Sequence, residues 1–425
     1  MMLLPTMAGW QRLGCLLAAG FAVGLPAAES NPVLDWNAAL LKAVRAESTA
    51  PTLCSRNAAI LHAAIYDAVN SIVRSHHPYR FLLDPPAPVD PEAAAAGAGH
   101  AVLGALYPSF QGSSDNLLEE WQATEPPTAA LTNGLALGRE VARRMLALRA
   151  DDGASTQVPY IPSADPGQWR RTPPFFRPPL DPHWRFVRPF AVDRMTEPYV
   201  SPPPPPFDSA EYAASYEEVR SIGARRSAVR TADQAQSAVF WSDFTYTVTP
   251  PGHWQEVTAT IILGQGTDLA GSARLMALLC LAQADSAIAC WETKYRYNTW
   301  RPVTAIRRGD EDGNAATVAE PEWEALLNAP NFPEYPSGHS IFSQASAAIL
   351  RAFYGTDALT FTATSDSQPG VQRTYRSLQA CADEIAQGRV WGGIHFGFAS
   401  AAGKRAGGGS AIHLRAPPPL EHDPP

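Results

Sequence analysis

Between residues 159 and 206, 15 of 48 residues are proline, and the run ends in five prolines in succession, Pro202 to Pro206. Each proline removes a backbone donor and fixes φ, so neither a helix interior nor a central strand survives that density. The segment must run extended, and it separates two long stretches of different character from its own. Phe175, Phe176, Trp184, Phe186 and Phe190 are interleaved with the prolines. This predicts a strap pinned onto the globule by its aromatics rather than a free linker.

On both sides of the strap the pattern is helical. Apolar residues recur at three- and four-residue intervals over residues 36–46, 56–73, 91–106 and 129–148, and alanine, the best helix former, is abundant in all four. Past the strap the same periodicity predicts helices over 210–222, 232–240, 254–264, 272–300, 340–354 and 378–404. No alternating run of strand type is prominent, and no repeat of solenoid length is visible. The chain reads as all-α, a helix bundle or two stacked ones. The expected organisation is a signal segment over 1–28, an N-terminal bundle over 29–158, a proline-rich strap over 159–208, a C-terminal bundle over 209–415 and a proline-rich tail over 416–425.

Charge narrows the partners. With 33 basic residues against 41 acidic ones the formal charge is −8, and only Lys42, Lys294 and Lys404 are lysines. Scattered arginines on an acidic chain give no basic footprint for nucleic acid. Arg12 precedes an apolar run from Leu13 to Leu25 and a small-residue exit, the pattern of a secretory signal. That pattern predicts an exported protein, periplasmic or secreted, with a retained N-terminal anchor as the alternative and no membrane span after signal removal. Past that segment the cysteines are Cys54, Cys280, Cys290 and Cys381. Cys280 and Cys290 share one predicted helix roughly 15 Å apart, too far for a bridge. Four buried thiols or one long-range disulfide remain open.

Chemistry concentrates in three clusters near the C-terminus. The first runs from Lys294 to Arg301 and Pro302. Seven residues on a helix place Lys294 and Arg301 nearly in line, and Pro302 biases Arg301 to the helix end. Two such cations need an anion between them or solvent around them. The second, Pro336-Ser337-Gly338-His339, precedes a predicted helix. Ser337 and Gly338 then sit where a hydroxyl and free N–H groups face outward, an ordinary cap or an anion site, with the imidazole of His339 beside them. The third runs from Arg389 through Gly392 and Gly393 to His395. Paired glycines in a helical pattern imply close approach of another group or of another helix. Three cations, a hydroxyl, a helix N-terminus and two imidazoles suit a tetrahedral oxoanion. The carboxylates of a magnesium–phosphate site and the glycine-rich loop of a nucleotide cradle are missing from this inventory.

In the order KX6RP, PSGH, RX3GXH, the clusters resemble the vanadium-dependent haloperoxidases and the type 2 acid phosphatases that share their active site. The opening segment, VLDWNAALL followed by SRNAAILHAAIYDAVNSI, is similar to the N-terminal helices of bacterial haloperoxidase-like proteins. The resemblance implies two stacked four-helix bundles with the site in the C-terminal one. It implies that Lys294, Arg301, Ser337, Gly338 and Arg389 hold the oxygens of vanadate, a site phosphate can also occupy. It further implies that His395 binds vanadium and that His339 is the acid–base group, with Lys294 also stabilising charge on bound peroxide. Asp243 matches either an aspartate that orients the last arginine or a plain surface residue. Trp291 and Phe332 fall where chloroperoxidase-type members carry the same residues; simple aromatic packing is the alternative. Hydrogen peroxide, halide and a small organic acceptor are the implied partners. The family pattern continues HX3D after the last histidine, whereas this chain has Ala399 there, and Gly388 replaces a preceding serine. Three functions follow: a haloperoxidase, a phosphomonoesterase in which His395 is the nucleophile, or a non-catalytic oxoanion-binding relative.

Overall fold

The computed structural model describes residues 31–193, 195 and 199–413, with side chains to residue 409. The expected signal segment and proline-rich tail lie outside the described residues. Before the strap come α1 (Pro32–Glu47), α2 (Pro51–Val73), α3 (Pro91–Leu106), α4 (Gln111–Thr124) and α5 (Ala129–Leu148). After it come α6 (Ala210–Ile222), α7 (Ala232–Phe240), α8 (Thr249–Gln265) and α9 (Leu269–Tyr297). Then follow α10 (Pro302–Arg307), α11 (Gly338–Tyr354), a hairpin of β1 (Phe361–Thr364) and β2 (Gln372–Tyr375), α12 (Leu378–Trp391) and α13 (Gly397–His413). The fold is all-α, as the periodicity predicts, apart from the hairpin.

Local chemistry sets the helix starts. Asp90, Thr128, Ser209 and Asp268 each cap a helix by accepting from a backbone N–H of the first turn, and Thr231 with Gln234 forms a reciprocal capping box. Proline stands in the first turn of α1, α2, α3, α8 and α10, where its missing N–H costs nothing. Helix α4 escapes the periodicity reading because only Ser114, Leu118 and Trp121 are buried, a single narrow stripe on a polar sequence. The predicted 378–404 helix is two helices. Gly392 ends α12, and Gly393 at φ +74 lies where a Cβ would come within 2.4 Å of the Gly223 carbonyl. The close approach at Gly393 is to the backbone at the C-terminal end of α6.

Helices α2, α3 and α5 pack on one another, and α9, α11, α12 and α13 form a second group. Helix α9 belongs to both, since α2 lies along it. One apolar core accordingly runs from α1, α2, α3 and α5 through α8, α9, α11 and α12. By length and composition α9 could cross a membrane, but its apolar window is 89% buried inside the protein. Its apolarity is spent on packing. Cys54, Cys280, Cys290 and Cys381 are all free and buried, so no long-range disulfide forms among them.

The strap wraps the globule, but its anchors are only partly the expected ones. Trp184 and Phe190 are buried, together with Trp169, whereas Phe175, Phe176 and Phe186 are more than half exposed. Polar anchoring does the rest. Asp285, buried on α9, accepts the N–H groups of Phe190 at 2.6 Å and Ala191 at 2.9 Å. Because removing this carboxylate strands two buried donors at about 1–3 kcal/mol each, Asp285→Ala should lower the unfolding free energy by about 2–5 kcal/mol. Denaturant titration checks this; a midpoint equal to wild type would mean the strap is held elsewhere.

Candidate active site

The three clusters meet at one end of the second helix group. Lys294 and Arg301 do not share a helix, because α9 ends with Asn298 in the left-handed region at φ 52 and Arg301 caps α10. The segment from Phe332 to His339 runs into α11. It is tied by Glu334 N–H to Thr299 O at 3.0 Å, by Tyr335 N–H to Thr299 Oγ1 at 3.0 Å and by Ser337 N–H to Ala399 O at 3.1 Å. Tyr335 also donates to the carbonyl of Pro202, so the strap braces this loop. Behind it α13 comes close enough to α11 that a Cβ on Gly403 would meet Ser337 O at 2.6 Å.

Each predicted residue has a definite place. Arg301 donates from Nε to Phe332 O at 2.9 Å and from one terminal nitrogen to Ile394 O at 3.0 Å and His395 Nε2 at 3.1 Å. Arg389 donates to Trp241 O at 2.7 Å. Both guanidiniums are fully buried, and both keep donors without a partner: one terminal nitrogen of Arg301, and Nε with one terminal nitrogen of Arg389. Burial pushes both below the ordinary arginine range. Lys294 differs from the expectation of a free donor. Its Nζ donates to the carbonyls of Pro333, Glu334 and Pro336 and lies 5.0 Å from the centre of the Phe332 ring. It clamps the loop, and burial pushes its pKa down to about 7.

Ser337 caps α11, its hydroxyl accepting from Ser340 Oγ at 3.0 Å, and Gly338 opens the helix on the cavity wall. His339 Nε2 has no hydrogen-bond partner and lies 3.9 Å from Asp243 Oδ2. Burial, with the charge of Arg389 added, holds His339 well below the usual imidazole range. Asp243 is no surface residue: it is buried, at φ 45, and its Oδ1 accepts from His253 Nδ1 at 2.9 Å. Its charge opposes the downward push of burial on Arg389, although no hydrogen bond joins the two. An aspartate held left-handed is strained backbone that the surrounding fold enforces, a frequent mark of a functional position. His395 donates Nδ1–H to Glu334 Oε1 at 2.9 Å.

Asp243, Gly338, His339 and His395 border a cavity of about 420 Å³. Trp291 and Phe332 form part of its wall with ring centres 5.0 Å apart, and His339 and His395 open onto it. The motifs did not reveal Glu334 or His253. Glu334 stands two residues before the PSGH motif, an acid in an otherwise uncharged run from Ala325 to Gly338, and that isolation is the signal that could have found it. His253 lies on α8, ten residues past Asp243, and no spacing rule marks it.

Against the geometry stand three comparisons. The family model described as the vanadium chloroperoxidase second helical-bundle domain matches residues 274–414. The vanadium chloroperoxidase of Curvularia inaequalis is 25% identical over an alignment covering 88% of this chain and 80% of that protein. Among solved structures, a bacterial vanadium-dependent iodoperoxidase superposes with TM-score 0.78 at 26% identity, covering 90% of this chain and 95% of that one. A holo-type bacterial vanadium-dependent chloroperoxidase shares the fold at TM-score 0.68 and 18% identity, over 86% of this chain and 92% of that one. The fold is all-α, and the three motifs come together at one place in it. The fold is that of the vanadium-dependent haloperoxidases, and the match over residues 274–414 supports their superfamily for this chain.

The residues fit an oxoanion. Unpartnered donors on two buried arginines and a helix N-terminus converge where a tetrahedral anion would satisfy them. Among the described residues no cluster of three or more His, Cys, Asp or Glu side chains could hold a bare metal cation. An anion favours the charged form of Lys294, so binding above its pKa of about 7 requires proton uptake. Affinity for tungstate, a tetrahedral dianion, should therefore be full below that pH and fall by up to about tenfold per pH unit above it. Calorimetry in buffers of different ionisation enthalpy reads both affinity and proton uptake. In Lys294→Met this pH dependence should shrink to the part contributed by Glu334, which burial also raises to about 7, and a flat wild-type profile would exclude Lys294 from the anion's field.

Proposed function

We propose that the protein is a vanadate-dependent haloperoxidase that oxidises halide with hydrogen peroxide to a hypohalous acid equivalent. One observation carries the reading: two buried arginines with idle donors face an imidazole whose Nδ1–H bond to a carboxylate leaves the lone pair on Nε2, where it accepts only from Arg301. Arg301 and Arg389, with Ser337 and Gly338 at the start of α11, would hold the oxygens of vanadate, and His395 Nε2 would hold the vanadium. Bound vanadate supplies a Lewis acid that activates peroxide without a change of oxidation state. The likeness to a chloroperoxidase and an iodoperoxidase supports this chemistry.

The chain's own residues then have separable tasks. His339 is neutral at rest and borders the cavity, so its ring can take a proton from incoming hydrogen peroxide. Asp243, 3.9 Å away, stabilises the imidazolium that results and is itself held by His253. Trp291 and Phe332 give the cavity an apolar wall that strips water from an approaching halide. Lys294 fixes the loop that carries Ser337 and His339, and it adds positive field. The signal-like N-terminus supports export, with the reaction in the periplasm or outside the cell.

Protein purified free of metal should gain halide- and peroxide-dependent bromination of a phenol dye on addition of orthovanadate. His395→Ala should lose both vanadate binding and turnover. His339→Ala should keep the binding while its rate falls by about 10²–10⁴-fold, the usual share of a general acid–base group. No gain of activity at any acidic or neutral pH would overturn the haloperoxidase. Hydrolysis of a chromogenic phosphate by the metal-free protein, lost in His395→Ala, would assign a phosphomonoesterase to the same site. Tight vanadate binding with neither activity would assign a non-catalytic relative.

A further inference from the structure

We infer that Glu334 is the positioning residue for His395 in this chain, holding the far ring nitrogen from the loop before α11, where the sequence has Ala399 in place of the acidic residue of HX3D. The inference rests on reading the site as an oxoanion centre with His395 as its imidazole. Ala399 cannot serve. It is fully buried in a small apolar cluster with Tyr335 and Ala402, and its hydrogen-bonding part is a carbonyl turned to Ser337 N–H at 3.1 Å. Glu334 Oε1 instead accepts two bonds, from His395 Nδ1 at 2.9 Å and from Phe396 N–H at 3.0 Å. One oxygen thereby fixes both the ring and the backbone immediately after it.

Oε1 already accepts the Phe396 N–H and Arg301 can only donate to Nε2, so the ring carries its proton on Nδ1 and its lone pair on Nε2. That is the nitrogen facing Arg301 at 3.1 Å and the oxoanion donors. The carboxylate is itself rigidly held. Glu334 is fully buried, its N–H donates to Thr299 O at 3.0 Å, and its carbonyl accepts from Lys294 Nζ at 2.9 Å. Its Oε2 has no partner in the protein. A buried carboxylate with an idle oxygen is costly, and the return here is a fixed imidazole. Lys294, Glu334 and His395 thus form one chain of support, in which the clamp on the loop sets the carboxylate and the carboxylate sets the ring.

The test uses metal-free full-length protein labelled with 15N-histidine, so it is independent of any enzymatic activity. The His395 resonances, identified by their loss in His395→Gln, should show the Nδ1–H tautomer with a strongly downfield Nδ1 proton. In the near-isosteric Glu334→Gln that proton should move upfield because the charged acceptor is gone. In Glu334→Leu the pure Nδ1–H tautomer should be lost. Calorimetric vanadate affinity should fall by about 10- to 100-fold in Glu334→Leu, as for other partners of ligating histidines. An unchanged His395 signal in Glu334→Gln would overturn the assignment even if Glu334→Leu does not fold. Wild-type vanadate affinity in a folded Glu334→Leu would overturn it equally. If the tautomer responds as stated while orthovanadate confers no halide oxidation, the positioning role stands and the haloperoxidase reading fails.

Discussion

Burying positive charge is the constraint around which the site is organised. Lys294, Arg301 and Arg389 are all fully buried, and taking such ions out of water costs several kcal/mol apiece unless something compensates. The compensation is distributed. Glu334 and Asp243 supply two carboxylates, Phe332 offers its ring face to Lys294 and Arg301, and backbone carbonyls of the 332–336 loop, Trp241 and Ile394 take the donors that remain engaged. The account still ends with a net positive charge and idle guanidinium nitrogens. A protein that folds around such a surplus is most stable with an anion in it, so ligand affinity and fold stability are linked.

This constraint also explains features remote from the chemistry. Arg389 reaches Trp241 O, and the indole of Trp241 donates to Tyr375 Oη at 3.1 Å on β2. The hairpin, which touches nothing in the cavity, therefore holds the residue that holds the arginine. The strap plays the same part for the loop before α11 through Tyr335 and Pro202. Elements that look peripheral in sequence are the outer braces of a charged interior.

What could be read from the sequence follows the range of each interaction. Helices α5, α6 and α7 begin and end where periodicity and the caps Thr128, Ser209 and Thr231 place them, because those signals are local. The three motifs were legible for a different reason: their residue types are unusual together. The break at Asn298 was hidden because Asn in the left-handed region looks like any helical polar residue until the fold demands the turn. The turn at Gly392–Gly393 was hidden because its cause, the backbone of Gly223, lies 170 residues away in the sequence. Glu334 reaches His395 across 61 residues, and Lys294 meets its carbonyls across about 40. No periodicity encodes such meetings. The missing aspartate at position 399 was visible; the carboxylate that lies against the same imidazole was not.

Helix α9 has a consequence for how such a protein can change over time. It carries Trp291 and Lys294 at one end, while along its length it gives one face to α2 and others to α11 and α13. Cutting the chain on either side of the strap would bare an apolar surface on both pieces. The group of motif residues is therefore not a cassette that recombination can lift onto another scaffold. Exchange between lineages would have to carry the N-terminal helices along with the motifs, which makes nearly the whole chain the unit of inheritance.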